Sequence, residues 1–208
     1  MSYSVTEVLN YLTEPELISW MLRTSKKKRE DILAYTNRVG KAVDLLIQQD
    51  ITDGGYLLPE GDEPIENCMK AWESFKVDHP EFLPSVIKMQ EEVSLGNVIG
   101  HPDFVRMTQD RFGITDLKCT NAIRTKNWTQ TAKYLHMNRG IGCNHKEFLS
   151  ILRLDRETGK YEYKEITDPS YIEYEIKVFD AYELAFNHAL TNREQLRLEL
   201  ERDVLDVS

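Results

Sequence analysis

Long hydrophobic runs are missing from this 208-residue sequence, and its apolar stretches fall far short of the ~20 residues that cross a bilayer. The opening residues have neither a basic flank nor an apolar segment, so no secretory signal is visible. The Arg-rich, acid-poor composition of a mitochondrial presequence is also missing. We therefore expect an intracellular, soluble protein with no membrane partner.

Cysteine is scarce, with three residues, Cys68, Cys119 and Cys143, that are far apart and form no C-x-x-C pair. An odd number at this spacing argues against a disulfide framework and against a four-thiolate metal site. We expect reduced, partly buried thiols and no zinc.

The composition is that of an ordinary globular protein, with 41% hydrophobic and 29% charged residues. These values exclude disorder, collagen and a disulfide-rich scaffold. The net charge of −9 argues against a protein that coats nucleic acid over its whole surface, although it allows a local basic face.

Residue periodicity predicts an α/β fold with a mixed central β-sheet flanked by helices and a helical N-terminal third. The predicted elements after the first third are β-favouring stretches over 86–95, 97–107 and 111–120, a helix over 128–137, a hairpin over 148–154 and 161–166, and a helix over 170–187. At about 150 residues per domain, we expect a single domain over 1–208, with a helical part at about 1–80 and an α/β core at about 81–190.

Three residues on the predicted strands carry the chemistry. Asp116 and Lys118 lie on one face of a strand, about 6.6 Å apart, and a neighbouring strand can bring Asp103 beside Asp116. Two adjacent carboxylates repel each other unless a cation relieves them, and Mg²⁺ prefers such hard oxygen ligands. The alternative is that both aspartates are surface carboxylates of a hairpin edge, with Lys118 as their salt-bridge partner.

The order Asp103, then Asp116-x-Lys118, resembles the PD-(D/E)XK nuclease superfamily. Downstream, Gln130-x-x-x-Tyr134 is similar to the extra helical motif of its RecB-like branch. Upstream, Gly40-Lys41-Ala42-Val43-Asp44 resembles the first helical motif of that branch, with Asp where His or Glu is usual. The likeness is nearest to the mitochondrial genome-maintenance exonuclease group.

The resemblance implies a restriction-endonuclease-like core and an Mg²⁺-dependent deoxyribonuclease, with Mn²⁺ able to substitute. Asp44, Asp103, Asp116 and the Leu117 carbonyl would hold the metal, and Lys118 would orient or activate water. Gln130 and Tyr134 would position the strand and the lysine, as i and i+4 share one helix face.

The resemblance also favours an exonuclease that acts on DNA ends or single strands in replication, recombination or repair. A structure-specific endonuclease and a catalytically silent nucleic-acid-binding module on the same fold remain alternatives. The sequence does not predict the oligomeric state.

Glu91 is a candidate for an additional acid. Strand alternation places it with Ile87, Met89 and Val93, and a glutamate on an apolar face is costly unless it is paired or metal-bound. An exposed strand with an irregular pattern explains it equally well.

Residues 118–160 contain nine basic and three acidic side chains, a net charge of +6, which leaves −15 for the remainder. We expect this segment to bind DNA phosphates through Arg124, Lys126 and Lys133 and to stack a base on Trp128. The alternatives are a solvated loop for Arg124 and Lys126, and core packing for Trp128.

Overall fold

The computed structural model describes residues 2–11, 15–142 and 144–205, and it describes the side chains of all of these except 15–18 and 195–205. Seven helices lie in this part of the chain: α1 (Val5–Tyr11), α2 (Pro15–Arg23), α3 (Lys26–Asp53), α4 (Glu63–Asp78), α5 (Phe82–Ser85), α6 (Thr125–Asn138) and α7 (Pro169–Leu205). Eight strands accompany them: β1 (Tyr3–Ser4), β2 (Val86–Met89), β3 (Val93–Leu95), β4 (Val98–Gly100), β5 (Phe104–Met107), β6 (Arg111–Lys118), β7 (Lys146–Leu154) and β8 (Tyr161–Ile166).

Local signals set the ends of the long helices. The Ser25 hydroxyl accepts a hydrogen bond from the backbone N–H of Lys28 at the start of α3, and Gly54 ends that helix with a φ of 74°. At the start of α6, the Asn127 side chain accepts a hydrogen bond of 2.8 Å from the backbone N–H of Arg124. These caps fix where α3 and α6 begin, and both helices border the candidate site.

The central sheet has five strands in the order β2-β5-β6-β7-β8. β6 pairs with β7 in parallel, and the other neighbouring strands are antiparallel. The parallel pair is joined through α6, as a crossover connection requires. The α/β class with a mixed sheet flanked by helices, predicted from the sequence, is confirmed.

A second sheet, in the order β1-β4-β3, was not predicted. The stretch 86–95 was expected to be one strand, but it divides into β2 and β3, which belong to different sheets, and 97–107 divides likewise into β4 and β5. The first break falls at Gln90, whose φ of 56° no extended strand can contain. The second falls at His101 and Pro102, because proline supplies no N–H to a ladder.

The five-stranded sheet separates two apolar cores. One core lies between the sheet and helices α1, α6 and α7, and it contains Ile114 and Ile151. The other lies on the side of α3 and α4, and it contains Leu117 and Leu152. Asp116 shares the face of Ile114 and so points toward α6.

Cys68 and Cys119 are buried and free, as expected, and Cys143 lies outside the described residues. Within the described part of the chain, no helix is both long and apolar enough to span a membrane.

Candidate active site

Asp116 and Lys118 lie at the carboxyl end of β6. The Asp116 side chain is 1% exposed and that of Lys118 is 19% exposed, and Lys118 Nζ lies 2.7 Å from Asp116 Oδ2. Among the described residues, Asp116 Oδ2 has no hydrogen-bond partner. We therefore describe the contact as an ion pair, in which the ammonium partly neutralises a buried carboxylate oxygen that still lacks a well-aligned donor.

Asp103 precedes β5 and faces the same point of the sheet. Its Oδ2 accepts a hydrogen bond of 2.7 Å from the backbone N–H of Leu117, and its Oδ1 accepts one of 2.7 Å from Gln90 Nε2. The Asp103 and Asp116 carboxyl groups are close enough to hydrogen-bond each other when one is protonated. The structure thus brings together the two carboxylates predicted to be neighbours.

Burial is the main cause of the raised pKa values of Asp116 and Asp103. It raises the pKa of Asp116 to about 7, and the neighbouring Asp103 adds to the shift while Lys118 opposes it. Burial also raises the pKa of Asp103, against the opposing effects of Lys118 and the Leu117 N–H. Two aspartates with raised pKa values form a site that favours additional positive charge.

The surroundings of Lys118 favour its charged form, whereas those of the two aspartates favour their neutral forms. Burial lowers its pKa, but the carboxylates of Asp116 and Asp103 outweigh this effect and raise the pKa above its ordinary value. The lysine is therefore a stable cation in the metal-free site.

Asp44 lies on α3 and is influenced by the charges at the end of β6. It is half-buried, and burial followed by the charge of Asp103 raises its pKa to about 7, with Lys118 opposing. Asp116 contributes a further increase. These effects place Asp44 within electrostatic reach of the aspartate pair.

Gln130 and Tyr134 face the site from α6. Gln130 Nε2 donates a hydrogen bond of 3.1 Å to the Tyr134 hydroxyl, as their i, i+4 spacing predicts. Burial raises the pKa of Tyr134 to about 12, and Asp116 and Asp103 also contribute, so the phenol stays protonated at neutral pH. The Tyr134 ring packs on Gly100, where an added Cβ would lie 2.4 Å from Cε1.

Within the part of the chain that the structure describes, no three His, Cys, Asp or Glu side chains are grouped to hold a metal ion by themselves. The predicted three-carboxylate shell is thus incomplete as it stands. The donors present nevertheless fit Mg²⁺, which is typically held by one or two carboxylates and keeps several waters. The buried Asp116 Oδ2, whose close contact is a cation, is the observation that supports this fit.

Glu91 is not the buried acid that strand alternation predicts. Its side chain is 55% exposed, and Oε2 lies 2.8 Å from Lys88 Nζ. The reason is the break at Gln90, which removes Glu91 from a strand and from any alternating face. The alternative of an exposed, irregular segment is the one observed.

Two of the four predicted DNA-binding side chains face the interior. Trp128 is 9% exposed in the core beneath α6, so the core-packing alternative is correct. Lys133 is 3% exposed, and its Nζ lies 3.3 Å from both Asp180 and Glu183 and 4.6 Å from the centre of the Phe179 ring. Neither side chain is presented to a ligand.

The positive charge of residues 118–160 is partly neutralised in three dimensions. Arg139 Nε lies 2.9 Å from Glu147 and Arg139 Nη2 contacts Glu173, while Arg153 Nε lies 2.8 Å from Glu162. Two of these partners belong to β8 and α7, outside the basic segment. Charge separation along the chain therefore overstates charge separation on the surface.

Arg124 and Lys126 do lie at the surface. Arg124 ends the connection from β6 to α6, and Lys126, in the first turn of α6, donates a hydrogen bond of 3.1 Å from Nζ to Asn10. A groove opens beside this connection. Its lining includes the apolar side chains of Trp20, Ile32 and Leu33, from α2 and α3, and the polar side chains of Thr120, Arg124 and Arg156. We call this the α3 groove.

The sequence analysis gave no site role to Gln90 or Trp20, and it counted Arg156 only among the basic side chains of 118–160. A glutamine in a β-favouring stretch gives no signal of a contact with an aspartate 13 positions away. Arg156 belongs to a turn between strands, and only the tertiary fold brings that turn to α3, where Arg156 Nη1 donates to the Thr36 hydroxyl.

No protein-family model and no curated protein matches the sequence. Among solved structures, it is similar to an alkaline exonuclease from Laribacter hongkongensis, with 11% identity, a TM-score of 0.41 and 94% of each chain covered. The complex of that enzyme with dAMP gives 11% identity and a TM-score of 0.40, again with 94% of each chain covered. A phage-related exonuclease from Haemophilus somnus 129PT gives 12% identity and a TM-score of 0.41, covering 93% of this chain and 96% of that one.

Proposed function

We propose that this protein is a metal-dependent nuclease that hydrolyses phosphodiester bonds in DNA, with the PD-(D/E)XK pattern of the RecB-like branch. The observation that carries the proposal is the juxtaposition of Asp103, Asp116 and Lys118 at the end of β6. Buried carboxylates beside an amine form the donor set for metal-assisted hydrolysis.

Asp103, Asp116 and the Leu117 carbonyl are the groups that would hold Mg²⁺ or Mn²⁺, with Asp44 as a further carboxylate. When bound, the ion would supply a positive charge that stabilises the developing charge on the phosphoryl oxygens. The involvement of Asp44 from α3 supports one nuclease domain in which the helical part and the α/β core act together.

Lys118 is proposed to orient the attacking water and to stabilise negative charge. Its raised pKa favours this role over that of a general base, because the neutral amine is disfavoured beside two carboxylates. Tyr134 keeps its proton at neutral pH and accepts a hydrogen bond from Gln130, so its hydroxyl proton is available for a phosphate oxygen.

The α3 groove is the proposed path of an unpaired DNA strand. Its apolar lining of Trp20, Ile32 and Leu33 suits exposed bases, and Arg124 and Arg156 in the same lining suit phosphates. Thr120, two residues after Lys118, also lines the groove, so the proposed path begins next to the site. Lys126, in the first turn of α6, would contact a neighbouring phosphate.

The test is cleavage of end-labelled linear DNA and covalently closed circular DNA, each with Mg²⁺, with Mn²⁺ or with a chelator. An exonuclease degrades the linear DNA, leaves the circle intact and is inactive with the chelator. Cleavage of the circle would support the structure-specific endonuclease instead. Binding without cleavage in either metal, by protein whose fold is verified, would establish the silent binding module and overturn the proposal.

A further inference from the structure

Gln90 has a backbone conformation that its residue type disfavours. Among the described residues it is the one non-glycine residue with a positive φ, at 56°. In this left-handed region the Cβ atom lies close to the following carbonyl oxygen. Glycine, which has no Cβ, and asparagine, whose short polar side chain can hydrogen-bond locally, therefore occupy it much more readily. A residue kept in a disfavoured conformation points to a role for its side chain.

The side chain of Gln90 ends on Asp103. Its Nε2 donates a hydrogen bond of 2.7 Å to Asp103 Oδ1, and its backbone N–H donates one of 3.0 Å to the carbonyl of Pro102, the residue before Asp103. Leu117 donates to the other oxygen of the same carboxylate. Gln90 thus holds both the backbone next to Asp103 and one of the two carboxylate oxygens.

The left-handed turn directs the side-chain amide of Gln90 toward Asp103. A strand that continued past Met89 would carry the side chain of residue 90 to an alternating face of the sheet, whereas the turn directs it to the loop that carries Asp103. Asparagine would suit the backbone but is one methylene shorter, and glycine has no side chain. The amide also donates without adding a further negative charge beside Asp103 and Asp116.

We propose that Gln90 is a positioning residue that fixes the Asp103 carboxylate in the orientation needed to hold a divalent metal ion. This inference rests on the proposed function. Outer hydrogen-bond partners of ligating carboxylates commonly govern metal affinity in this way. The competing explanation is that Gln90 only forms the turn that separates β2 from β3.

The experiment measures Mn²⁺ binding without DNA, by calorimetry and by electron paramagnetic resonance, for the wild type, Gln90→Gly and Gln90→Asn. Both substitutions suit the left-handed backbone and remove the hydrogen bond to Asp103. Gln109→Ala, in the exposed turn between β5 and β6, is the control. Thermal melts of the metal-free proteins establish that each variant is folded.

We expect both Gln90 variants to bind Mn²⁺ about 10-fold more weakly or worse. The Mn²⁺ concentration for half-maximal cleavage should rise by the same factor, while the KM for DNA stays unchanged. A role in the turn alone predicts wild-type Mn²⁺ affinity in Gln90→Gly, and that result would overturn the inference but leave the proposed function intact. If the wild type binds no Mn²⁺ and cleaves no DNA, the proposed function is wrong and this inference is wrong with it.

Discussion

Lys118 Nζ lies 2.7 Å from Asp116 Oδ2, two residues earlier on the same face of β6. The ammonium therefore partly offsets the negative charge of the aspartate pair. Asp116 is also one of the groups that would hold a metal ion under the proposed function, so the ion and Lys118 would share this carboxylate. The proposed water-orienting amine would thus stand beside the proposed metal site.

Asp116→Asn should abolish cleavage while leaving the protein folded. The substitution retains the shape of the side chain but removes a charge at the proposed metal site, and we expect at least a 100-fold loss of rate.

Lys118→Met should cause a similar loss and leave Mn²⁺ binding measurable, because it removes the amine and spares the carboxylates. End-labelled DNA assays and calorimetry check the two effects. Asp110→Asn, exposed in the turn between β5 and β6, is the control, and cleavage by Asp116→Asn at the control's rate would contradict the assignment.

The stability of the metal-free protein should fall as the pH rises from about 4 to about 7. The pKa of Asp116 and that of Asp44 are both raised to about 7 in the folded state, so between these pH values the folded state binds more protons than the unfolded state. The stabilisation is complete below the unfolded-state pKa of about 4 and is lost as the pH passes through the folded-state value.

Urea denaturation in the presence of a chelator at several pH values measures this effect. Asp116→Asn should reduce the dependence, because the amide does not titrate, and it should be more stable than the wild type at pH 7. An unchanged pH dependence in this variant would show that Asp116 does not titrate in the folded protein as described.

The parts of the fold that were predicted correctly are the longer elements. The helix that carries Gln130 and Tyr134 has 14 residues and the strand that carries Asp116 and Lys118 has 8 residues, so residue composition and spacing are sufficient to indicate their type. The small sheet was missed because its strands have two or three residues, too few for a periodic pattern.

The site was predicted only where chain order determines proximity. Strand pairing brings Asp103 to Asp116, and the helical spacing brings Gln130 to Tyr134. Lys133 was assigned to DNA because the nearby sequence is basic, but its partners Asp180 and Glu183 come from α7, far along the chain. Burial of a charge by a distant helix leaves no signal in the local sequence.

Lys133→Met should affect stability rather than DNA binding. The methionine retains apolar contact with Phe179 but leaves Asp180 and Glu183 without their cation. Because those carboxylates are partly exposed, water replaces part of the lost interaction. We therefore expect the free energy of unfolding to fall by only about 1–3 kcal/mol. DNA affinity at a temperature where the variant is folded should be unchanged. A loss of DNA affinity with unchanged stability would instead support the prediction from the sequence that Lys133 binds DNA.

Arg156→Ala should weaken DNA binding in a manner that depends on salt. If Arg156 contacts one phosphate in the α3 groove, the slope of log K against log salt should decrease by about 1. Trp20→Ala should instead weaken binding by about 1–3 kcal/mol without changing that slope, because stacking releases no counterions. Fluorescence anisotropy with a labelled single strand, on catalytically inactive Asp116→Asn protein, measures both. If the salt slopes were equal with and without the Arg156→Ala substitution, the DNA strand would not contact Arg156 in the α3 groove.

Gly100→Ala and Gly40→Ala should have opposite effects on stability. At Gly100, an added Cβ would lie 2.4 Å from the Tyr134 ring and 3.2 Å from Val5, both buried, so the ring must move. We expect a loss of about 1–3 kcal/mol and slower cleavage, because Tyr134 moves with its Gln130 partner. At Gly40, inside α3 and one turn from Asp44, an added Cβ meets nothing within 4 Å.

Alanine at position 40 should therefore stabilise α3 by about 0.5–1 kcal/mol, since it restricts the unfolded chain and adds no clash. Urea denaturation of both variants, with Mn²⁺ titrations in parallel, tests the pair. Retained Mn²⁺ affinity in Gly40→Ala would show that the metal site does not require glycine there. If Gly40→Ala instead lost DNA affinity at unchanged stability, the open space beside α3 would be part of the strand's path, because a methyl group that meets no protein atom would then meet the substrate.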